Sequence, residues 1–384
     1  MKQLSLNLPP FAPDYSGVCS ALFELGGMIV IHDACGCTGN YTGFDEPRWY
    51  GSSSGVYCSA LRQIDAILGD DEKLVGRIME AAEEMLPKFI CVTGSPVPMV
   101  IGTDFQGIAD EIEQRTGLPA FGFATTGLRL YDSGASDAFL ALVRRFGKEE
   151  AAEKKRVNLL GLTPLDFYTN GNAEAIRIFL ERAGYTVGAS IAMGASLDEI
   201  MACGRARANV VVSQSGLAAA NDMYERLGIP YVVGLPVGQK PSEELLELLG
   251  QTCRDGKNRM AAPEKPGKQA LILGEKVISD SIHRCLVRDY GFEGATAAGL
   301  FTPNAELMQP GDLQAAGEAE IAAEVNAGYD IVIGDPMLKA LLEPGSRTRF
   351  VDFPNPAVSS KLHWNECIPF IGDHIKELVK RIQG

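Results

Sequence analysis

"KFICVTGSPVPMVIGTDFQGIADEIEQRTG", residues 88–117, decides the fold. Its first seven residues form a short β-branched and apolar run ending in glycine, the pattern of a strand buried on both faces. From Ile101 the apolar residues return at helical spacing until Gly117 closes the segment. The same succession recurs along the chain. "RVNLLGL" (156–162), "ANVVVSQ" (208–214), "IPYVVGL" (229–235), "QALILGE" (269–275) and "YDIVIGD" (329–335) read as strands; "NAEAIRIFLERAG" (172–184), "GLAAANDMYERLG" (216–228) and "ISDSIHRCLVRDYG" (278–291) read as helices. Strand, helix, strand in repetition means parallel sheets covered by helices. Such sheets take ligands beyond the carboxyl ends of their strands, which directs attention to the loops after residues 31, 94, 162, 213, 274 and 334.

At 384 residues the chain exceeds one ordinary core, and roughly 150 residues per domain gives two or three. The rhythm breaks at "RRFGKEEAAEKKR" (144–156) and at "CRDGKNRMAAPEKPGKQ" (253–269), so three doubly wound α/β units are expected. They span residues 1–150, 151–262 and 263–350, and a segment over 351–384 packs back across them, with Ile371, Ile375, Leu378 and Ile382 on one helical face. A net charge of −14 with scattered basic residues excludes nucleic acid as a partner. The N-terminus lacks a signal-peptide pattern and no apolar run reaches membrane-spanning length, so a cytoplasmic protein with no membrane partner is expected. There is no G-x-x-x-x-G-K-[ST] loop and no G-x-G-x-x-G after a strand, so no nucleotide is expected on this chain.

Nine cysteines, four of them in the first 58 residues, argue for free thiols or metal ligands over a disulfide framework. Cys35 and Cys37 follow the apolar run Met28–Ile31 and stand among glycines. Two thiolates at C-x-C spacing reach one soft metal centre only on irregular backbone, which Gly36 and Gly39 supply. Iron–sulfur chemistry suits them better than zinc, because the four histidines do not cluster with cysteines apart from His32. His32 is placed to hydrogen-bond a cluster sulfur or a backbone carbonyl, or serves as a satisfied structural group. Downstream, Arg48, Trp49 and Tyr50 follow Pro47 as a candidate docking surface, with Trp49 plugging the domain's own edge as the alternative. The acidic loop 69–74 caps a helix, and Cys203, Cys253, Cys285 and Cys367 are assigned to packing.

"GVCSALFELGGMIVIHDACGCTGNY" (17–41) resembles the stretch that reads glycine, apolar helix, H-G-x-x-G-C-x-x-Y in the component 1 subunits of nitrogenase and its relatives. "SALRQIDAILGDDEKL" (59–74) and "FICVTGSPVPMVIGTDFQGIADEIEQRTGLPAFGF" (89–123) continue the resemblance, and a weaker likeness runs through 160–187. The resemblance implies three Rossmann-like domains of the nitrogenase component 1 type. It also implies a subunit-interface iron–sulfur cluster ligated by Cys37. Cys35 is then an extra thiol. The family's earlier cluster cysteine falls among Phe11 to Asp14, where Asp14 can substitute and Cys19 lies close by in the chain; the later one falls at Ser95 or Pro96, with Cys91 back in the strand. With one family cysteine in place, a four-iron (4Fe-4S) cluster shared across a dimer is favoured over the eight-iron (8Fe-7S) form. The family's cofactor-binding cysteine falls at Ser213, which disfavours dinitrogen reduction with the usual cofactor and leaves a tetrapyrrole-like substrate open.

Two functions follow. In one, the chain is a reductase subunit that forms a homodimer or a heteromer with a paralogue and takes electrons from an ATP-dependent iron protein. In the other, it is a cluster or tetrapyrrole scaffold, or the non-catalytic half of a heteromer.

Overall fold

The computed structural model describes residues 5–50, 52, 54–262 and 264–384. Three sheets, each parallel throughout, follow one another along the chain. The first comprises β1 (Met28–Ile31), β2 (Gly55–Cys58), β3 (Ile90–Thr93) and β4 (Ala120–Phe123), in the order β2-β1-β3-β4. The second comprises β5 (Arg156–Leu160), β6 (Thr186–Ile191), β7 (Ala208–Val211), β8 (Tyr231–Val233) and β9 (Arg259–Met260), ordered β6-β5-β7-β8-β9. β10 (Ala270–Gly274), β11 (Ala295–Gly299), β12 (Leu313–Gln314), β13 (Ile331–Gly334) and β14 (Arg349–Asp352) form the third, ordered β12-β11-β10-β13-β14. The central strands β1, β3, β5, β7 and β10 are buried almost end to end, as continuous apolar runs require when helices cover both faces.

In each sheet the chain reverses direction of travel between two neighbouring strands: β1 and β3, β5 and β7, β10 and β13. At such a switch point the two following loops part and leave a crevice. The loops expected to matter, after 31 and 94, after 162 and 213, and after 274 and 334, fall at these three places.

Helix Asp14–Leu22 crosses helix Tyr131–Phe146 at the closest approach side chains allow. A Cβ on Gly17 would lie 1.8 Å from the Tyr131 carbonyl oxygen, and one on Gly134 would lie 1.9 Å from that of Asp14. The two glycines let the first helix sit directly beneath the loop after β1.

The C-terminal segment touches all three sheets' surroundings. Phe370 packs on Phe167, Tyr168 and Phe353, and the Gly372 amide donates to the Pro236 carbonyl at 2.6 Å. The Ser360 hydroxyl donates to Asp45 at 2.8 Å, and Arg381 reaches the Asp352 carbonyl at 3.1 Å. Ile371, Ile375, Leu378 and Ile382 are all buried, the last two on helix Lys376–Gln383. No helix among the described residues is long and apolar enough to cross a membrane.

Candidate metal centre at the first switch point

β1 ends at Ile31, and the loop beyond it holds His32, Asp33, Cys35 and Cys37. Asp33 organises this loop from a buried position. Its Oδ2 accepts the Cys37 amide at 2.8 Å, and its Oδ1 accepts the Ser95 hydroxyl, from the loop after β3, at 3.1 Å. One carboxylate therefore ties both sides of the crevice. The half-buried Cys37 thiol lies within hydrogen-bonding reach of Tyr15 and Ser95, and burial pushes it above the usual thiol range.

The backbone departs from expectation at this point. Gly36 lies in a short helix, Gly36–Asn40, with open space around it, as does Gly39. The irregular residue is Cys35 itself, in the left-handed region at φ 100°. The turn brings its exposed thiol to β2, where Cys35 Sγ meets Cys58 Sγ at 3.5 Å. Cys58 is the residue that sequence reading missed. The crowding of four cysteines into the first 58 residues was its signal, but only the pairing of β1 with β2 makes it a neighbour of the loop.

The other expected ligands are placed elsewhere. Cys19 and Cys91 are fully buried in the hydrophobic core, and burial raises both thiols well above their usual range, which corrects the reading of them as available ligands. Asp14 is fully buried and spent on the loop opposite, accepting from the Thr126 and Gly127 amides at 2.9 and 2.7 Å and from Arg129 at 3.2 Å. Ser95 is buried and donates to Asp33 as described. Among the described residues no three histidines, cysteines, aspartates or glutamates converge closely enough to hold a metal ion alone. The thiols at this edge are soft donors and partly accessible, which fits an iron–sulfur group whose remaining ligands come from outside the chain.

His32 takes the structural alternative. Its Nδ1 pairs with the Ser59 hydroxyl at 2.8 Å, its ring meets Phe105 edge-on, and burial holds it below the usual histidine value. It lines a cleft of about 190 Å³ with Asp65, Asp104, Lys73 and Arg77, and no cysteine lines that cleft. Loop 69–74 caps as expected, with Asp70 accepting the Lys73 amide.

The docking triad is corrected in part. Arg48 is mostly turned inward, its side chain 10% exposed: its guanidinium grips the fully buried Glu46 with two bonds of 2.7 and 2.8 Å, reaches the Ser20 carbonyl and lies over Phe23. Trp49 is half-buried against Phe23, the edge-plugging alternative, and Tyr50 alone of the three is well exposed. Large exposed apolar side chains stand elsewhere, on two short helices that leave the same edge as the thiols. Val97, Val100 and Ile101 lie on Pro96–Ile101, and Ile64, Ile67 and Leu68 on Gln63–Leu68.

At the second switch point Ser213 is buried, its hydroxyl donating to the Gly161 carbonyl at 2.6 Å. Gln214 next to it reaches across to the third sheet, where Glu275 accepts its amide at 2.7 Å.

A model of the family described as nitrogenase component 1 type oxidoreductase matches residues 14–278. Among curated proteins, the chain is similar to the nitrogenase iron-molybdenum cofactor biosynthesis protein NifE of Clostridium pasteurianum, 30% identical over 210 residues, covering 53% of this chain and 45% of that protein. It is also similar to a light-independent protochlorophyllide reductase polypeptide of Leptolyngbya boryana, 23% identical over 257 residues, covering 58% and 51%. The chain spans about half the length of the curated relatives it matches. A solved structure titled "Nitrogenase Cp1 at pH 6.5" superposes with a TM-score of 0.74 at 13% identity, covering all of this chain and 93% of that one, a likeness of fold. With the family match running over most of the chain and the three parallel sheets in place, this protein belongs to the nitrogenase component 1 type oxidoreductases.

Proposed function

We propose that the chain is a nitrogenase-like reductase component that holds an iron–sulfur cluster at the edge of its first sheet. The observation that carries the reading is Cys37, fixed at a topological switch point by Asp33 and left half-open to solvent. Such a cluster, when bound, takes up and releases single electrons. The chain's own residues prepare the place: Asp33 locks the backbone of Cys37, Tyr15 sits against the thiol, and the Arg48–Glu46 pair anchors the loop to helix Asp14–Leu22. A second subunit, either a copy or a paralogue, covers the flanking apolar helices and supplies further ligands. Electrons come from an ATP-dependent iron protein, since this sequence carries no phosphate loop. The substrate is a small or tetrapyrrole-like molecule. The Ser213 hydroxyl, at the position of the family's cofactor thiol, is spent on a backbone carbonyl, which disfavours dinitrogen with the usual cofactor.

A scaffold function is the second reading, favoured by the loss of Asp14 and Ser95 to internal hydrogen bonds. Anaerobic purification followed by iron and acid-labile sulfide analysis tests both. A brown protein that Cys37→Ala bleaches, and that an iron protein with ATP reduces, supports the reductase. A cluster that no ATP-dependent donor reduces leaves the scaffold, and an iron-free colourless protein overturns both cluster readings.

A further inference from the structure

The loop after β1 and the end of β2 meet at two thiols that the cluster reading does not use. β1 and β2 pair in parallel with Ile31 opposite Cys58, so Cys35, a few residues beyond Ile31, comes back to the neighbouring strand. The two sulfurs lie 3.5 Å apart. Cys35 is exposed, Cys58 is half-exposed, and neither belongs to an apolar cluster. Cys37 turns elsewhere, its thiol within hydrogen-bonding reach of Tyr15 and Ser95.

The surroundings of Cys58 leave its sulfur free to react. Its thiol donates to the Asp33 carbonyl at 3.4 Å, a weak bond from an S–H. That carbonyl also accepts the Leu61 amide at 2.8 Å and the Ser59 hydroxyl at 3.3 Å, so it stays satisfied when Cys58 gives up its proton. The Cys58 sulfur in turn accepts the Ala60 N–H at 3.3 Å, from a residue in the left-handed region at φ 52°. A backbone amide aimed at a sulfur favours the thiolate, the form that attacks a disulfide. A disulfide needs about 2.05 Å between sulfurs, so this pair has to close by about 1.5 Å. Room for that movement lies on the Cys35 side, where Gly36 has open space around it.

We propose that Cys35 and Cys58 are a redox-active dithiol whose oxidant is a low-molecular-weight disulfide. The exposed Cys35 thiolate attacks one sulfur of that molecule, breaks its S–S bond, releases one half as a thiol and leaves the other half joined to Cys35. The Cys58 thiolate then attacks Cys35 Sγ, forming the Cys35–Cys58 bond and expelling the second half as a thiol. Two electrons pass from the protein to the small molecule, and the protons lost by Cys35 and Cys58 go to the two departing thiolates. The product ties the loop after β1 to the end of β2. Where thiols are otherwise kept reduced, bonds of this kind are transient and serve as sensors. The dithiol stands apart from the cluster reading, which uses Cys37.

The test places the full chain, purified anaerobically, in buffers of reduced and oxidised glutathione at stepped ratios. Samples are quenched in acid, blocked with a maleimide and digested without reduction for peptide mapping by mass spectrometry. A peptide joining Cys35 to Cys58 should rise with the oxidised share of the buffer and disappear on return to the reducing one. In Cys58→Ser the mixed disulfide on Cys35 has no resolving thiol, so it should accumulate roughly tenfold above its wild-type level. Wild-type chain that carries glutathione on Cys35 to the same extent as Cys58→Ser, or that joins Cys35 to Cys37 in preference, overturns the proposal. So does a chain in which both thiols remain open to the maleimide at every ratio.

Discussion

Removing the Arg48 guanidinium leaves the fully buried Glu46 carboxylate with the Ser20 and Tyr41 hydroxyls, at 3.1 and 2.9 Å, and the residue 48 amide at 2.9 Å, while both bonds to the guanidinium are lost. Breaking one side of a buried pair costs about 3–5 kcal/mol, so Arg48→Ala should lower the urea midpoint strongly, and Arg48→Ala with Glu46→Gln should recover part of the loss. A variant as stable as the wild type would mean that the pair does not anchor the loop. From sequence alone, an Arg beside a Trp after a proline looks like a contact surface; its acceptor, Glu46, stands only two positions away, but its burial depends on helix Asp14–Leu22 folding beneath it. The same limit applies to the thiols. Motif order marked Cys37 as the candidate ligand. The partnership of Cys35 with Cys58 was not legible, because it depends on the pairing of β1 with β2 and on a left-handed cysteine where glycines stood ready to take that role.

The helix crossing at Gly17 and Gly134 sets the height of the loop that carries Cys37, since helix Asp14–Leu22 holds Tyr15 against that thiol. Gly17→Ala must push backbone against backbone, and overpacking of this kind costs typically about 1–3 kcal/mol or more. The expected result is a lower urea midpoint with an unchanged slope, and tryptophan fluorescence altered at Trp49 if the loop shifts with the helix. Unchanged stability in both Gly17→Ala and Gly134→Ala would show that the helices part freely. Among the elements, central strands such as Ile90–Thr93 and Ala270–Gly274 were readable as apolar runs, and helices such as Leu217–Leu227 by their spacing and closing glycine. The edge strands and β11 were not. Gly55–Cys58 is half-exposed and begins among glycine and serines, and Ala295–Gly299 is built from small residues without the β-branched signature.

Across the whole molecule, Glu275 links the second and third sheets, and burial raises it from the ordinary 4.5 to about 7. Between those values the folded protein holds a proton that the unfolded chain releases, so this group's contribution is full below pH 4.5 and is lost as pH rises through 7. Melting temperatures measured across that window should fall less steeply in Glu275→Gln than in the wild type; parallel profiles would show that the carboxyl does not titrate with folding. The fold at this scale was legible because alternation of strands and helices dictates layered parallel sheets. The carboxyl between sheets was not, because nothing local marks an acid for burial. The apolar helices beside the thiols, Gln63–Leu68 and Pro96–Ile101, have a further consequence when set on a body of net charge −14. Two such bodies repel at long range and adhere at short range, and added salt shrinks the repulsion to about 10 Å at 0.1 M while leaving the adhesion intact. Ionic strength should therefore sort the companions proposed for this edge: salt should favour contact between two identical chains and loosen the grip of any companion that arrives by opposite charge.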